Sequence, residues 1–210
     1  MWRDFAGFAK RLAQIGAIPV LLLIAPDFAY SHPAPFGITG YPVLFLHPIV
    51  VMDHAICLVA AGLLAGQQKG IALGWLLAAL FVGLVAGFAV LVFTPGFPGD
   101  IFLPLLLTIV TGLVVAAAPV LKAWAIALVA LSGFAIGLNT YPEGGTLFIL
   151  SMTLGGLVVG AAILFLLAGW PVSLLQRKWQ DVGIRIAGSW LAAIAMLILA
   201  LAIKRLFAGA

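Results

Sequence analysis

The sequence predicts an all-α integral membrane protein of about six transmembrane helices behind an N-terminal signal peptide, on three observations. Of its 210 residues, 65% are hydrophobic and only 8% carry a charge, whereas a soluble domain is about a quarter charged. So few charges cannot coat a globule of this size. Long runs are continuously apolar, without the alternation that a membrane β-barrel needs for its lumen, so helices satisfy the backbone in lipid. The ten lysines and arginines are scattered in ones and twos between these runs. They mark membrane topology rather than a phosphate-binding stripe, and no nucleic-acid partner is expected despite the net charge of +4. One cysteine, Cys57, excludes a disulfide framework.

The first segment, residues 1–31, has the layout of a signal peptide. Arg3, Lys10 and Arg11 precede a short apolar run from Ile15 to Ala25 that stops at Pro26 and Asp27. That run is too short to cross a hydrocarbon core needing about 20 residues, and it fits a basic n-region followed by an h-region. Ala29-Tyr30-Ser31 sets small side chains at the −3 and −1 positions, so cleavage would leave His32 as the mature N-terminus on the outer side. A retained anchor helix is the alternative.

Residues 32–210 then form a single six-helix transmembrane domain. The spans are expected at Tyr41–Gly66, Ile71–Phe93, Ile101–Ala118, Leu121–Leu138, Thr146–Trp170 and Ile186–Ile203, each near or above the roughly 18-residue threshold. Breakers punctuate them at Thr94-Pro95-Gly96-Phe97-Pro98-Gly99, Ala118-Pro119, Pro142-Glu143-Gly144-Gly145 and Trp170-Pro171. Gly155, Gly156 and Gly160 on the fifth span, with Gly188 and Ser189 on the sixth, are small surfaces that let helices approach closely. With His32 outside, Lys69, Lys122, Arg177, Lys178 and Arg185 fall on inner turns, while Asp100 and Glu143 fall on outer turns without a basic residue. This is the positive-inside bias, broken only by Lys204 and Arg205 at the tail. The expected location is the bacterial inner membrane, multi-pass, with the mature N-terminus outside.

Candidate functional residues concentrate in the first span, where His47-Pro48 is followed by Asp53-His54. An ionisable side chain in a span costs at least a few kcal/mol and by default marks function. Seven positions apart, His47 and His54 share one helix face. Asp53 is about 100° from His54 and joins that face only if the helix is distorted, for which Pro48 supplies a cause. Imidazole nitrogens with a carboxylate suit Ni²⁺, Co²⁺ or Zn²⁺ better than Mg²⁺. The plainer reading is that Asp53 and His54 hydrogen-bond between helices and that His47 is a structural interfacial residue. Cys57, one turn further on, reads as a small packing residue rather than a soft ligand.

The sequence His47-x5-Asp53-His54, followed by an apolar run to Gly62, resembles the signature of the HupE/UreJ family, small nickel or cobalt permeases associated with hydrogenase and urease maturation. Ser31-His32-Pro33 is similar to the family's histidine near the mature N-terminus. Pro98-Gly99-Asp100, Pro142-Glu143-Gly144 and Arg185-Ile186-Ala187-Gly188-Ser189-Trp190 extend the likeness along the chain. The family's second motif, a Phe-His-Gly with a further His-Gly and a glutamate at the fourth span, is replaced here by Gly133-Phe134-Ala135-Ile136-Gly137-Leu138-Asn139, with no histidine. Glu143 and Asn139 can stand in for part of it, or can simply cap and terminate helices.

The resemblance implies a permease that passes transported Ni²⁺ or Co²⁺, with no tightly bound cofactor, along His32, His47, Asp53, His54 and Glu143. Its surroundings would be the lipid bilayer and membrane-complex or homo-oligomer partners. The alternative is a non-transporting subunit or scaffold that keeps the family fold. No enzyme is expected: the chain has neither a His-Glu-x-x-His motif nor a serine nucleophile arrangement beside His54, and no nucleotide-binding loop of a primary pump.

Overall fold

The computed structural model describes residues 48–94, 102–117, 122–142 and 146–208, all within the compact unit Ile38–Ala210. Among them no strand occurs. Six α-helices follow one another: α1 Met52–Gln67, α2 Leu73–Phe93, α3 Phe102–Ala117, α4 Lys122–Leu138, α5 Leu147–Ser173 and α6 Lys178–Ala208. With α2, α5 and α6 long and apolar enough to cross a bilayer, this is an all-α membrane protein. The other three have 16, 16 and 17 residues, about 24–26 Å of rise, against a hydrocarbon core of about 30 Å.

Several boundaries differ from the sequence reading. The first expected span is interrupted at Val51, whose extended backbone (φ −76°, ψ 106°) separates a single turn at 48–50 from α1. The donor that Pro48 lacks would have served residue 44, upstream of this point, so the break at Val51 is not explained by it. Helix α5 runs through the expected stop at Pro171 to Ser173. Three residues from the end, Pro171 forfeits only the bond to the Leu167 carbonyl. Most of the connection expected before the sixth span is helical: α6 starts at Lys178, where Gln180 Oε1 accepts from the backbone N–H groups of Gln176 (3.2 Å) and Arg177 (3.0 Å). A side chain near the third helical position thus satisfies donors at the helix start. The resulting α6 is 31 residues long, about 46 Å.

Other ends are closed by side chains as well. Thr146 accepts from Ile149 N–H (3.3 Å) at the start of α5. Asn139 Nδ2 and Thr140 Oγ1 donate back to the carbonyls of Ala135 (2.9 Å) and Ile136 (2.8 Å) at the end of α4. Asn139 therefore terminates its helix, one of the two roles open to it. The last turn of α3 is held from two sides: Gln67 Nε2 of α1 donates to Val115 O (3.2 Å) and Arg185 Nε of α6 donates to Ala116 O (2.7 Å). A guanidinium at a helix C-terminus meets both the orphan carbonyls and the negative end of the dipole.

Helices meet in pairs through glycine. On α2, Gly83 and Gly87 lie against the backbone of Ala130 and Phe134 on α4. Reciprocally, Gly133 and Gly137 lie against Leu80 and Leu84. A Cβ at any of the four would fall on a backbone carbonyl oxygen. Gly62 and Gly66 pack on Phe165 and Gly169 of α5, and Gly112 packs on Gly188 of α6. Rising numbers pair with rising numbers in the first two seams, which makes them parallel. In the third, Gly112 meets Ala192 and Val115 meets Gly188, so the helices run antiparallel. These directions agree with a chain that reverses at every connection.

The glycine expectations are accordingly corrected. Gly188 packs as expected, and Gly156 and Gly160 are buried, but a Cβ on Gly155 would meet nothing within 4 Å. Most seam glycines lie on α1, α2, α3 and α4. The stretch 133–137, where the resembled family carries histidine, serves here as the face of α4 that packs on α2.

Candidate functional site

The break at Val51 changes the setting of Asp53 and His54. They occupy the first turn of α1, where N–H groups are unpaired along the helix and the dipole favours an anion. The 53 carboxylate therefore sits in the first turn of a helix rather than midway along one. His54 is buried, its side chain 2% exposed, while that of Asp53 is 13% exposed. His54 Nε2 and Asp53 Oδ2 are 3.8 Å apart, beyond hydrogen-bond distance. Two donors each about 2.1 Å from one ion lie roughly 3 Å apart at a right angle, so the pair needs to close by less than about 1 Å to hold a cation jointly. Both residues lie within α1, after the break, so the break changes their relation to the residues before Val51 and not to each other.

Below this pair α1 continues with Cys57, fully buried. It shares a face with Asp53 by the i, i+4 rule. The side chains of Thr108 on α3 and Ser132 on α4 lie near its thiol. Both hydroxyls already donate to carbonyls of their own helices, Thr108 to Pro104 O and Ser132 to Leu128 O, each at 2.8 Å. Both α3 and α4 thus come close to α1 at Cys57. A threonine and a serine inside apolar runs were visible in the sequence, but nothing local pairs them with a residue 51 or 75 positions away.

Of the other candidates, His32, His47 and Glu143 lie outside the described residues. Among the described residues no three His, Cys, Asp or Glu side chains converge on one point, and of the expected set only Asp53 and His54 are described.

Fold and site together define a helical membrane protein with ionisable side chains built into its bundle. The chain belongs to the HupE/UreJ family, whose model matches residues 20–198. No curated protein and no solved structure matches it. Membership places the protein among metal-transport and accessory proteins rather than in a family of enzymes.

Proposed function

We propose that the protein is a permease for a divalent transition metal, Ni²⁺ or Co²⁺, that supplies metalloenzyme maturation from the bacterial inner membrane. The observation that carries this reading is the buried imidazole of His54 beside the Asp53 carboxylate at the N-terminal end of α1. A cation entering from the outer side would meet His32, released as the mature N-terminus, and Glu143. It would then be held by His47, Asp53 and His54. Negative charge at such a mouth raises the local concentration of cations. In this reading all six helices span, consistent with their alternating directions.

The test is uptake of radiolabelled Ni²⁺ or Co²⁺ by cells expressing the chain, normalised to protein in the membrane. Asp53→Asn keeps shape and removes charge; it and His54→Ala should reduce uptake to background without preventing insertion. Normal uptake by Asp53→Asn would refute the assignment.

A second reading has one observation in its favour. The segment of α4 that carries histidines in permeases of this family is here a glycine seam packed on α2. That change suits an accessory subunit that keeps the fold without transport. Stoichiometric co-purification with other membrane subunits, together with absent uptake by the unmodified chain, would favour it.

A further inference from the structure

Close contacts gather helix ends at one end of the bundle. Gln67 of α1 reaches Val115 O of α3, Arg185 of α6 reaches Ala116 O, and Gly66 lies against Val172 of α5. A Cβ on Gly70, in the turn between α1 and α2, would stand 2.6 Å from Lys122 Nζ at the start of α4. The cations of these segments therefore share one end. Lys69, Lys122, Arg177, Lys178 and Arg185 are all exposed there, against a single exposed carboxylate among the described residues, Asp181. Within the described chain none of the five forms an ion pair.

The same end carries tryptophan. Trp75 and Trp124 are the third residues of α2 and α4, Trp179 is the second of α6, and Trp170 is the fourth from the end of α5. All four are exposed, and at 1.5 Å per residue each lies within about 5 Å of its helix end. Of the described tryptophans only Trp190 stands elsewhere, 12 residues into α6. Indole favours the headgroup level, where its apolar body meets hydrocarbon and its N–H meets water. Further along the helices the exposed surface turns aliphatic, with Val82, Leu113, Leu131 and Val159. The tryptophans thus mark the edge of a hydrocarbon belt, and the cations stand at or just past that edge. A soluble acidic partner would need the charges alone; a charged rim over an indole girdle fits a lipid.

We propose that this end of the bundle binds the headgroups of acidic phospholipids, with Lys69, Lys122 and Arg185 as the principal phosphate contacts. In the sequence these cations are far apart and mark topology; the fold makes them neighbours. Lys69 adjoins Gly70, over which the end of the Lys122 side chain lies, so two ammonium groups from different connections face one headgroup layer. Arg185 binds Ala116 O through Nε, and the outer nitrogens of a guanidinium suit phosphate geometry. Basic pockets between helices at a membrane surface take acidic headgroups in this way. The lipid would tie together the end of α1, the end of α3 and the starts of α4 and α6. These meet only in the folded chain, so binding stabilises it. The proposal stands independently of what the bundle transports.

The full chain, purified in a neutral detergent, is unfolded by heat with added phosphatidylglycerol or with the same amount of phosphatidylcholine. Phosphatidylglycerol at saturation should raise the midpoint above the phosphatidylcholine value by about 5–10 °C. The double variant Lys69→Gln/Lys122→Gln should lose at least half of that difference. Lys204→Gln/Arg205→Gln removes the same charge near the far end of α6, about 40 Å away along the helix, and should keep it. Each variant is read as the difference between its own two lipid conditions, so a change in its basal stability does not affect the result. Glycerophosphate, which has the phosphate without the acyl chains, should give no shift at the same concentration. Equal midpoints in the two lipids would overturn the proposal. So would equal losses in the two double variants, which would mean that net charge alone is sensed. A shift with glycerophosphate as large as with the lipid would make this a site for free anions and refute the lipid.

Discussion

Gly133 on α4 provides the most direct test of the helix packing. An alanine there would place its Cβ against the carbonyl oxygen of Leu80, 3.0 Å from Leu84 N and 3.1 Å from Leu80 C. All three are backbone atoms of α2, so no side-chain rotation can relieve the contact, and α2 and α4 must move apart. Gly83, Gly87 and Gly137 share the seam, and separating the helices opens their close contacts too. Overpacking of this kind costs about 1–3 kcal/mol, or roughly 2–12 °C in melting temperature for a chain of this size. Gly155→Ala is the matched control: its Cβ meets nothing within 4 Å, and alanine in place of glycine in a helix gains up to about 1 kcal/mol. The two variants change the same atoms in opposite settings. Thermal unfolding in one detergent, followed by far-ultraviolet circular dichroism, should move Gly133→Ala down and leave Gly155→Ala level or raised. Equal shifts for the two would refute the α2–α4 seam.

Further predictions concern the ends of helices and the topology. Arg185→Gln removes the donor to Ala116 O at the end of α3 and should lower stability by about 1 kcal/mol, read in the same unfolding assay; an unchanged midpoint would mean the contact contributes nothing. Cysteines introduced in a Cys57→Ala background should be labelled by an impermeant reagent in whole cells near Glu143 but not near Lys178, and the reverse pattern would defeat the proposed orientation. Intact mass of the membrane-inserted protein should match a chain beginning at His32; retention of Met1 would remove the outer amine and imidazole from the proposed route.

Composition and the positions of the apolar runs determined the class of this protein, because burying backbone in lipid leaves helices as the solution to continuously apolar segments. They also located α2 and α4 to within two residues. The unusual carboxylate and imidazole at 53 and 54 were visible for the same reason: a charge inside an apolar run stands out whatever its partners. The tertiary structure decided what those residues face. Pro48 announced a distortion, but only the folded chain placed the break at Val51 and so put Asp53 and His54 at a helix N-terminus. Pro171 carried the same local signal as other breakers, yet α5 continues through it to Ser173. Glycines are alike in sequence; Gly155 faces open space while Gly133 touches a carbonyl, because helix phase and neighbour are set by the whole bundle. The nearness of Thr108 and Ser132 to Cys57 depends on three helices meeting, and separation along the chain holds no record of that.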